Sequence, residues 1–276
     1  MLNIVKMDIY RMFKTKVLYV TIIIAVISVI ASLAAAKYQL NHPEYKKMME
    51  DVLEQQNDID VNMGIQIGGM SIITEDTTTE DLFLGTLAGG MFLVLSVIFC
   101  VVFVCTDHNS GFIKNVVSRK NYRSQTSLSK AISMVIYTVV QYAVCLGIFI
   151  LGYVILFHNI NFTNVYDFIR FIAVQMLMQV AIMNLCILLC NLVRNMAFCM
   201  ATGICISAGL FFLVASLIDR FDLPIKTTDY LITVLMRILP VTYDGTLYIR
   251  ALVLSIVSIV VYQFASFITM KRQDIK

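Results

Sequence analysis

Charged residues are scarce in this sequence, and their scarcity excludes an ordinary soluble domain. Only 14% of the 276 residues are Asp, Glu, Lys or Arg, and 59% are hydrophobic, whereas a soluble domain carries about 25% charged residues. Tryptophan is missing, proline occurs three times, and the mean hydropathy is +0.82. Several apolar runs are long enough to cross ~30 Å of hydrocarbon. The composition therefore predicts an all-α integral membrane protein.

The sequence also lacks the motifs of several enzyme and metal-binding classes. It has no Gly-Lys dipeptide, so it has no phosphate-binding loop of the G-x-x-x-x-G-K-[ST] form. It has no H-E-x-x-H motif, and none of its seven cysteines falls in the large polar loop, where a disulfide framework would be expected. Cys186 and Cys190 share a predicted helical face without a nearby His or carboxylate. We interpret the cysteines as packing residues and expect neither a catalytic nor a metal site.

Six apolar runs predict six membrane spans, each near or above the ~20 residues that a helix needs to cross the bilayer. With the N-terminus inside, the inner segments carry most of the Lys and Arg residues but only three acids, Asp8, Asp107 and Asp274. The positive-inside rule therefore places both termini in the cytoplasm. The predicted spans cover about residues 17–36, 84–105, 131–157, 168–190, 196–217 and 247–270.

Other segments complete a single transmembrane domain over residues 1–276. Residues 1–16 predict an amphipathic helix on the inner membrane surface. Residues 37–83 form a long acidic outer loop whose first half predicts helix. Residues 218–246 contain a short apolar stretch between two prolines, which predicts helices dipping into the outer leaflet. In the first helix the expected apolar face is Leu2, Val5, Ile9 and Met12, with the cations Lys6, Arg11 and Lys14 largely elsewhere.

A basic island, residues 106–130, lies between predicted spans two and three and faces the cytoplasm in this topology. It holds five cations against one acid, Asp107. Ser110 can cap a short helix with an apolar face, suited to a groove on a soluble partner. An interfacial helix that touches only lipid headgroups is the alternative. The predicted docking residues are Gly111, Phe112, Ile113, Lys114, Asn115, Val116, Ser118 and Arg119.

The island and the order of the spans resemble permeases of the ABC-2 type, the membrane subunits of a group of bacterial ABC exporters. In that family a stretch of the form acid–x–x–x–G–x–I–K–N–x–x–S, followed by Arg and then Ser-Lys, lies between spans two and three. The interfacial helix and the broken outer-leaflet helices fit the resemblance too, whereas the long first outer loop departs from the shortest members. The matching residues here are Asp107, Gly111, Ile113, Lys114, Asn115, Ser118, Arg123, Ser129 and Lys130.

The resemblance implies a division of labour in a bacterial cell membrane. Two copies of a separate ATPase would hold ATP and magnesium and dock on the island. This chain would pair through spans one and five with a second copy or a related permease, and Gly203 and Ser207 would lie at that interface. The expected cargo is amphipathic or hydrophobic, first of all an antimicrobial peptide or lantibiotic, moved out of the membrane or the cell. No nucleic-acid partner is expected.

Polar side chains inside predicted spans are the candidate pathway residues: Gln141, Gln175, Gln179 and Asn184. Such side chains either line a pathway or hydrogen-bond a neighbouring helix. No predicted span has a central acid or base, which disfavours an ion-driven secondary transporter, although that class stays an alternative. A non-transporting sensor or immunity protein that binds a peptide at the outer loop is another. Asp167 and Arg170 are expected to pair at the start of span four.

Overall fold

Helices make up nearly all of the described chain, and the described residues contain no β-strand. The computed structural model describes residues 2–42, 79–88, 90–109, 123–157, 164–219, 227–242 and 244–272. The helices are α1 (Leu2–Lys14), α2 (Lys16–Asn41), α3 (Thr79–Ala88), α4 (Met91–Asn109), α5 (Arg123–Phe157), α6 (Val165–Val193), α7 (Met196–Ser207), α8 (Leu210–Asp219), a 3₁₀ helix (Thr227–Tyr230), α9 (Ile232–Ile238) and α10 (Gly245–Arg272).

Four of these helices, α2, α5, α6 and α10, are long and apolar enough to cross a membrane. Two bent pairs are further candidates, α3 with α4 and α7 with α8, whose axes differ by 44° and 67°. The described chain thus holds four candidate spans, or six if each bent pair is one span. This set of long apolar helices is compatible with a membrane-embedded protein.

The two bends are absent from the sequence prediction, which treats each pair as one continuous span. Each break contains a glycine in the left-handed region, Gly90 with φ +71° and Gly209 with φ +83°. Glycine adopts this conformation without the Cβ clash that other residues incur. The hydropathy stays high on both sides of each break, so the apolar pattern alone does not mark the change of direction.

Helix α6 lies at the centre of the bundle. It packs against α10, α4, α5 and α7, and 61% of its most apolar stretch is buried, compared with 17% for α10 and 28% for α2. The outer helices accordingly expose large aliphatic side chains, which suits a hydrocarbon environment. The expected pair at the start of α6 is confirmed, with Arg170 Nη1 4.0 Å from Asp167 Oδ1.

Helix α1 forms where the amphipathic pattern predicts it, and one of its faces packs against the rest of the protein. The buried residues are Ile4, Asp8 and Met12, which follow one another at a spacing of four. Val5 and Ile9 are only partly buried, and Lys6 and Lys14 are exposed. Asp8 can lie on this packed face because it meets a cation and a hydroxyl inside the protein.

Candidate functional site

Four ionisable side chains meet where α1, the end of α4 and the start of α5 come together. This charge cluster consists of Asp8, Arg11, Asp107 and Lys130. The guanidinium of Arg11 donates to one carboxylate oxygen of Asp107, and the ammonium of Lys130 donates to the other. Lys130 Nζ also lies 3.4 Å from Asp8 Oδ1, and Ser129 Oγ donates to Asp8 Oδ2 at 2.6 Å. Three separate helices are thereby joined by charge-assisted hydrogen bonds.

The contribution of these ion pairs to stability depends on how deeply their side chains are buried. Asp8 is 2% exposed, Asp107 1% and Lys130 6%, whereas the side chain of Arg11 is 27% exposed. Two positive and two negative groups give the cluster no net charge. Lys130 Nζ additionally lies 4.1 Å from the centre of the Phe103 ring, a cation–π contact. A buried charge is tolerated when it is paired in this way, and removing one partner leaves an uncompensated ion.

Arg11 has a partner that the sequence pattern does not indicate. The amphipathic pattern places Arg11 off the apolar face of α1, and in the structure its guanidinium contacts Asp107, 96 positions along the chain. Its positive charge therefore stabilises the contact between α1 and α4.

Two members of the charge cluster lie near the two ends of the basic island. Asp107 is near its start and Lys130 is its last residue, and both form ion pairs with the same helix, α1. Residues 110–122 lie outside the described residues, and so do all eight predicted docking residues: Gly111, Phe112, Ile113, Lys114, Asn115, Val116, Ser118 and Arg119.

The candidate pathway residues form hydrogen bonds between helices. Gln179 Nε2 of α6 donates to Ser96 Oγ of α4 at 2.6 Å and to Gln141 Oε1 of α5 at 2.9 Å. Ser96 Oγ lies 2.6 Å from Gln141 Oε1, and all three residues are 0% exposed. Asn184 of α6 accepts from Gln263 of α10. Of the two uses considered for these side chains, interhelical bonding is the one observed here.

Gln175 lies outside this network, at a small cavity beside α6 and α9 whose lining is mainly apolar. Its Nε2 donates to the carbonyl oxygen of Met236 at 2.8 Å. The cavity of about 10 Å³ is also lined by Gln179, Thr233 and Arg237, and it is close to the size of one water molecule. Gln179 Oε1 and Thr233 Oγ1 belong to two of these lining residues and are buried without a hydrogen-bond partner in the described residues, so a water in the cavity is the kind of partner that buried polar groups require.

Arg237 connects this cavity to both helix breaks. Its Nη2 donates to the carbonyl oxygen of Ala208 at 3.2 Å. A Cβ built on Gly209 would lie 3.3 Å from Arg237 Nη2, and one on Gly90 would lie 3.6 Å from it. Burial lowers the pKa of the Arg237 guanidinium, yet arginine stays protonated in proteins, so a cation rests against both bends. The sequence offered one signal for it, a single cation within the apolar segment Ile232–Ile238.

Gly203 and Ser207, expected at an interface between two permeases, are buried inside this chain. A Cβ on Gly203 would lie 2.6 Å from Val97 Cγ1 of α4, and Ser207 is 1% exposed. The small side chains let α7 approach α4 closely, the same property that suggested an interface. Here the close neighbour belongs to the same chain, and neither residue lies on the outer surface.

Comparison with known proteins assigns no family to this chain. The sequence matches no protein-family model, and it matches no curated protein.

Proposed function

We propose that this chain is the permease subunit of an ATP-driven ABC exporter of the ABC-2 type. The observation that carries the proposal is the charge cluster, which fastens both helices flanking the basic island to α1. A load applied to the island by a docked ATPase would pass through Asp107 to α4 and through Lys130 to α5. Both helices run on into the packed bundle, so the load would reach the body of the protein.

In the proposed topology the charge cluster lies at the cytoplasmic ends of the helices and both termini are cytoplasmic. Each bent pair counts as one span, which gives six spans in a bacterial cell membrane. A second permease, either a second copy or a related chain, would complete the translocation path. Because Gly203 and Ser207 are buried, the partner would meet exposed apolar residues of α2 and α8 such as Ile27 and Val214.

The proposed cargo is an amphipathic or hydrophobic molecule, with an antimicrobial peptide or lantibiotic as the first candidate. The acidic segment between α2 and α3, residues 42–78, supports a cationic cargo because its carboxylates would concentrate such a peptide near the outer surface. The absence of a Gly-Lys dipeptide supports a separate ATPase, since a P-loop would have to come from another chain.

The test is co-purification of a nucleotide-binding partner with the full chain from native membranes. The partner is detected by photolabelling with an azido-ATP analogue. Phe112→Asp removes an apolar anchor from the island, and Lys114→Glu reverses a charge. We expect each to lower the recovery of the labelled partner by about tenfold or more, whereas Lys46→Glu, the same charge reversal in the predicted outer loop, leaves it unchanged.

Three results would contradict the proposal. Recovery of the labelled partner that survives both island substitutions would remove the docking role of the island. Movement of the cargo by the purified chain in liposomes on an ion gradient alone would identify a secondary transporter. Protection against a peptide that persists when the partner ATPase is inactive would instead identify a non-transporting immunity protein.

A further inference from the structure

Three cysteines that are distant in sequence meet at the ends of three helices. Cys105 lies near the end of α4, Cys190 in the last turn of α6 and Cys199 in the first turn of α7. Their sulfur atoms all lie within 4.8 Å of one another. Each residue is at most 1% exposed, and all three are free thiols. We call this group the three-cysteine site.

The geometry allows one small ion to contact all three sulfurs. An ion centred among sulfurs 4.8 Å apart would lie at most about 2.8 Å from each, and a metal–thiolate bond is about 2.3 Å long. An inward shift of about 0.5 Å per sulfur therefore closes the site. Rotation of the cysteine side chains supplies such a shift without a change in the helix packing.

The backbone holds two of the three ligands in place. Only Arg194 and Asn195 separate α6 from α7. Asn195 caps α7, and its Oδ1 accepts from the backbone N–H of Ala197 at 3.0 Å. Its carbonyl oxygen accepts from the N–H of Cys199 at 3.0 Å, and the N–H of Arg194 donates to the carbonyl oxygen of Cys190 at 3.1 Å. The short connection thus sets the positions of Cys190 and Cys199 relative to each other.

The donor set decides the class of ion. Sulfur is a soft ligand that selects thiophilic ions over magnesium or calcium. The cluster contains three protein ligands in the described part of the chain, whereas structural zinc takes four in a tetrahedron. Zinc with three protein ligands takes a water as the fourth, and the three cysteines are at most 1% exposed, so the ion that fits best without an added water is three-coordinate.

The net charge of the ion with its three thiolates narrows the choice of ion further. Three thiolates around a divalent ion would leave one negative charge in this buried site, and around Cu(I) they would leave two, which burial penalises. A trivalent ion gives a neutral complex. Arsenite reaches it without a change of oxidation state, because As(OH)₃ and three thiols exchange protons and hydroxides to give As(SR)₃ and three water molecules. We propose that Cys105, Cys190 and Cys199 form a binding site for trivalent arsenic or antimony.

Entry to the site requires only a local opening at one end of the bundle. Cys190 and Cys199 each lie one helical turn from the α6–α7 connection, and the neighbouring Leu192 and Val193 are exposed. Arsenite is uncharged at neutral pH, so it can cross this short apolar distance at a lower desolvation cost than a hydrated cation. The site requires no ATPase, so the inference stands whether or not the chain is a permease.

The test uses the full-length chain, purified in detergent under a non-thiol reductant and equilibrated with sodium arsenite. We expect one arsenic per chain by mass spectrometry and affinity lowered by more than about tenfold in Cys105→Ser, Cys190→Ser and Cys199→Ser. Cys145→Ser is the matched control, because Cys145 is buried outside the three-cysteine site and its loss should leave binding unchanged. Thermal melting of each variant reports folding.

A second measurement on the unaltered protein covers the case in which a variant fails to fold. After arsenite treatment the protein is denatured and alkylated, and peptide mass spectrometry should find Cys105, Cys190 and Cys199 protected together. Protection of a different set, or binding that survives all three substitutions, would overturn the assignment. Zinc bound as tightly as arsenite through the same cysteines would overturn the charge argument.

Discussion

Replacing Asp107 by asparagine tests whether the charge cluster stabilises the protein as its geometry implies. Asparagine keeps the shape of the side chain but removes its negative charge, so Arg11 and Lys130 would share the single carboxylate of Asp8. Lys130 is 6% exposed and lies 3.4 Å from that carboxylate, so the cluster would carry one uncompensated buried positive charge. Breaking a buried pair in this way costs about 3–5 kcal/mol.

The free energy of unfolding can be measured by titrating the detergent-solubilised protein with a denaturing detergent and following helix content. Asp167→Asn provides the control, since the Asp167–Arg170 pair is 4.0 Å long and the side chain of Arg170 is 42% exposed. An exposed pair of this kind contributes less than about 1 kcal/mol. We expect the cost of Asp107→Asn to exceed that of the control several-fold.

A double-mutant cycle separates the charge effect from packing. Asp107→Asn combined with Lys130→Gln removes one charge of each sign and restores neutrality, so the double variant should be more stable than the sum of the two single changes implies, by about 1–3 kcal/mol. Strictly additive losses, or an Asp107→Asn variant no less stable than the Asp167→Asn control, would refute the reasoning.

Two further substitutions test the packing and the polar network by the same titration. Gly203→Ala should lower the free energy of unfolding by about 1–3 kcal/mol because its Cβ would meet Val97 Cγ1 at 2.6 Å. Gly147→Ala is the control and should be neutral or stabilising, because nothing lies within 4 Å of its Cβ. Equal effects of the two substitutions would contradict the close α4–α7 approach. Gln179→Leu should lower the free energy of unfolding by about 1–3 kcal/mol because Gln141 loses a buried hydrogen-bond donor. An unchanged free energy of unfolding would show that the network adds no stability.

The long apolar helices were predictable because their signal is local. A continuous run of apolar residues of sufficient length needs no information about neighbouring helices, and the predicted span 168–190 lies within the observed helix Val165–Val193. The bends at Gly90 and Gly209 were not predictable in this way. Apolar side chains continue through both breaks, and the arginine that lies against them comes from a distant segment.

The charge cluster was not predicted from the sequence, although three of its four residues belong to patterns that the sequence shows. Asp107 and Lys130 were part of the island pattern, and Arg11 was part of the amphipathic helix. Their partnership joins positions 96 residues apart, and no local periodicity encodes that distance. Asp8 gave a weak signal, a carboxylate one turn from two apolar residues of the same helix face, Ile4 and Met12.

The end of α4 belongs to both the charge cluster and the three-cysteine site. Cys105 contributes to the site shared with α6 and α7, and Asp107, two residues later, binds the cations of α1 and α5. In the proposed exporter, a load on the island would first move α4 and α5 together, because Asp107 and Lys130 are paired. Helix α4 packs on α6 and α7 along its length, and an ion joining the three sulfurs would add a direct link between its end and these two helices.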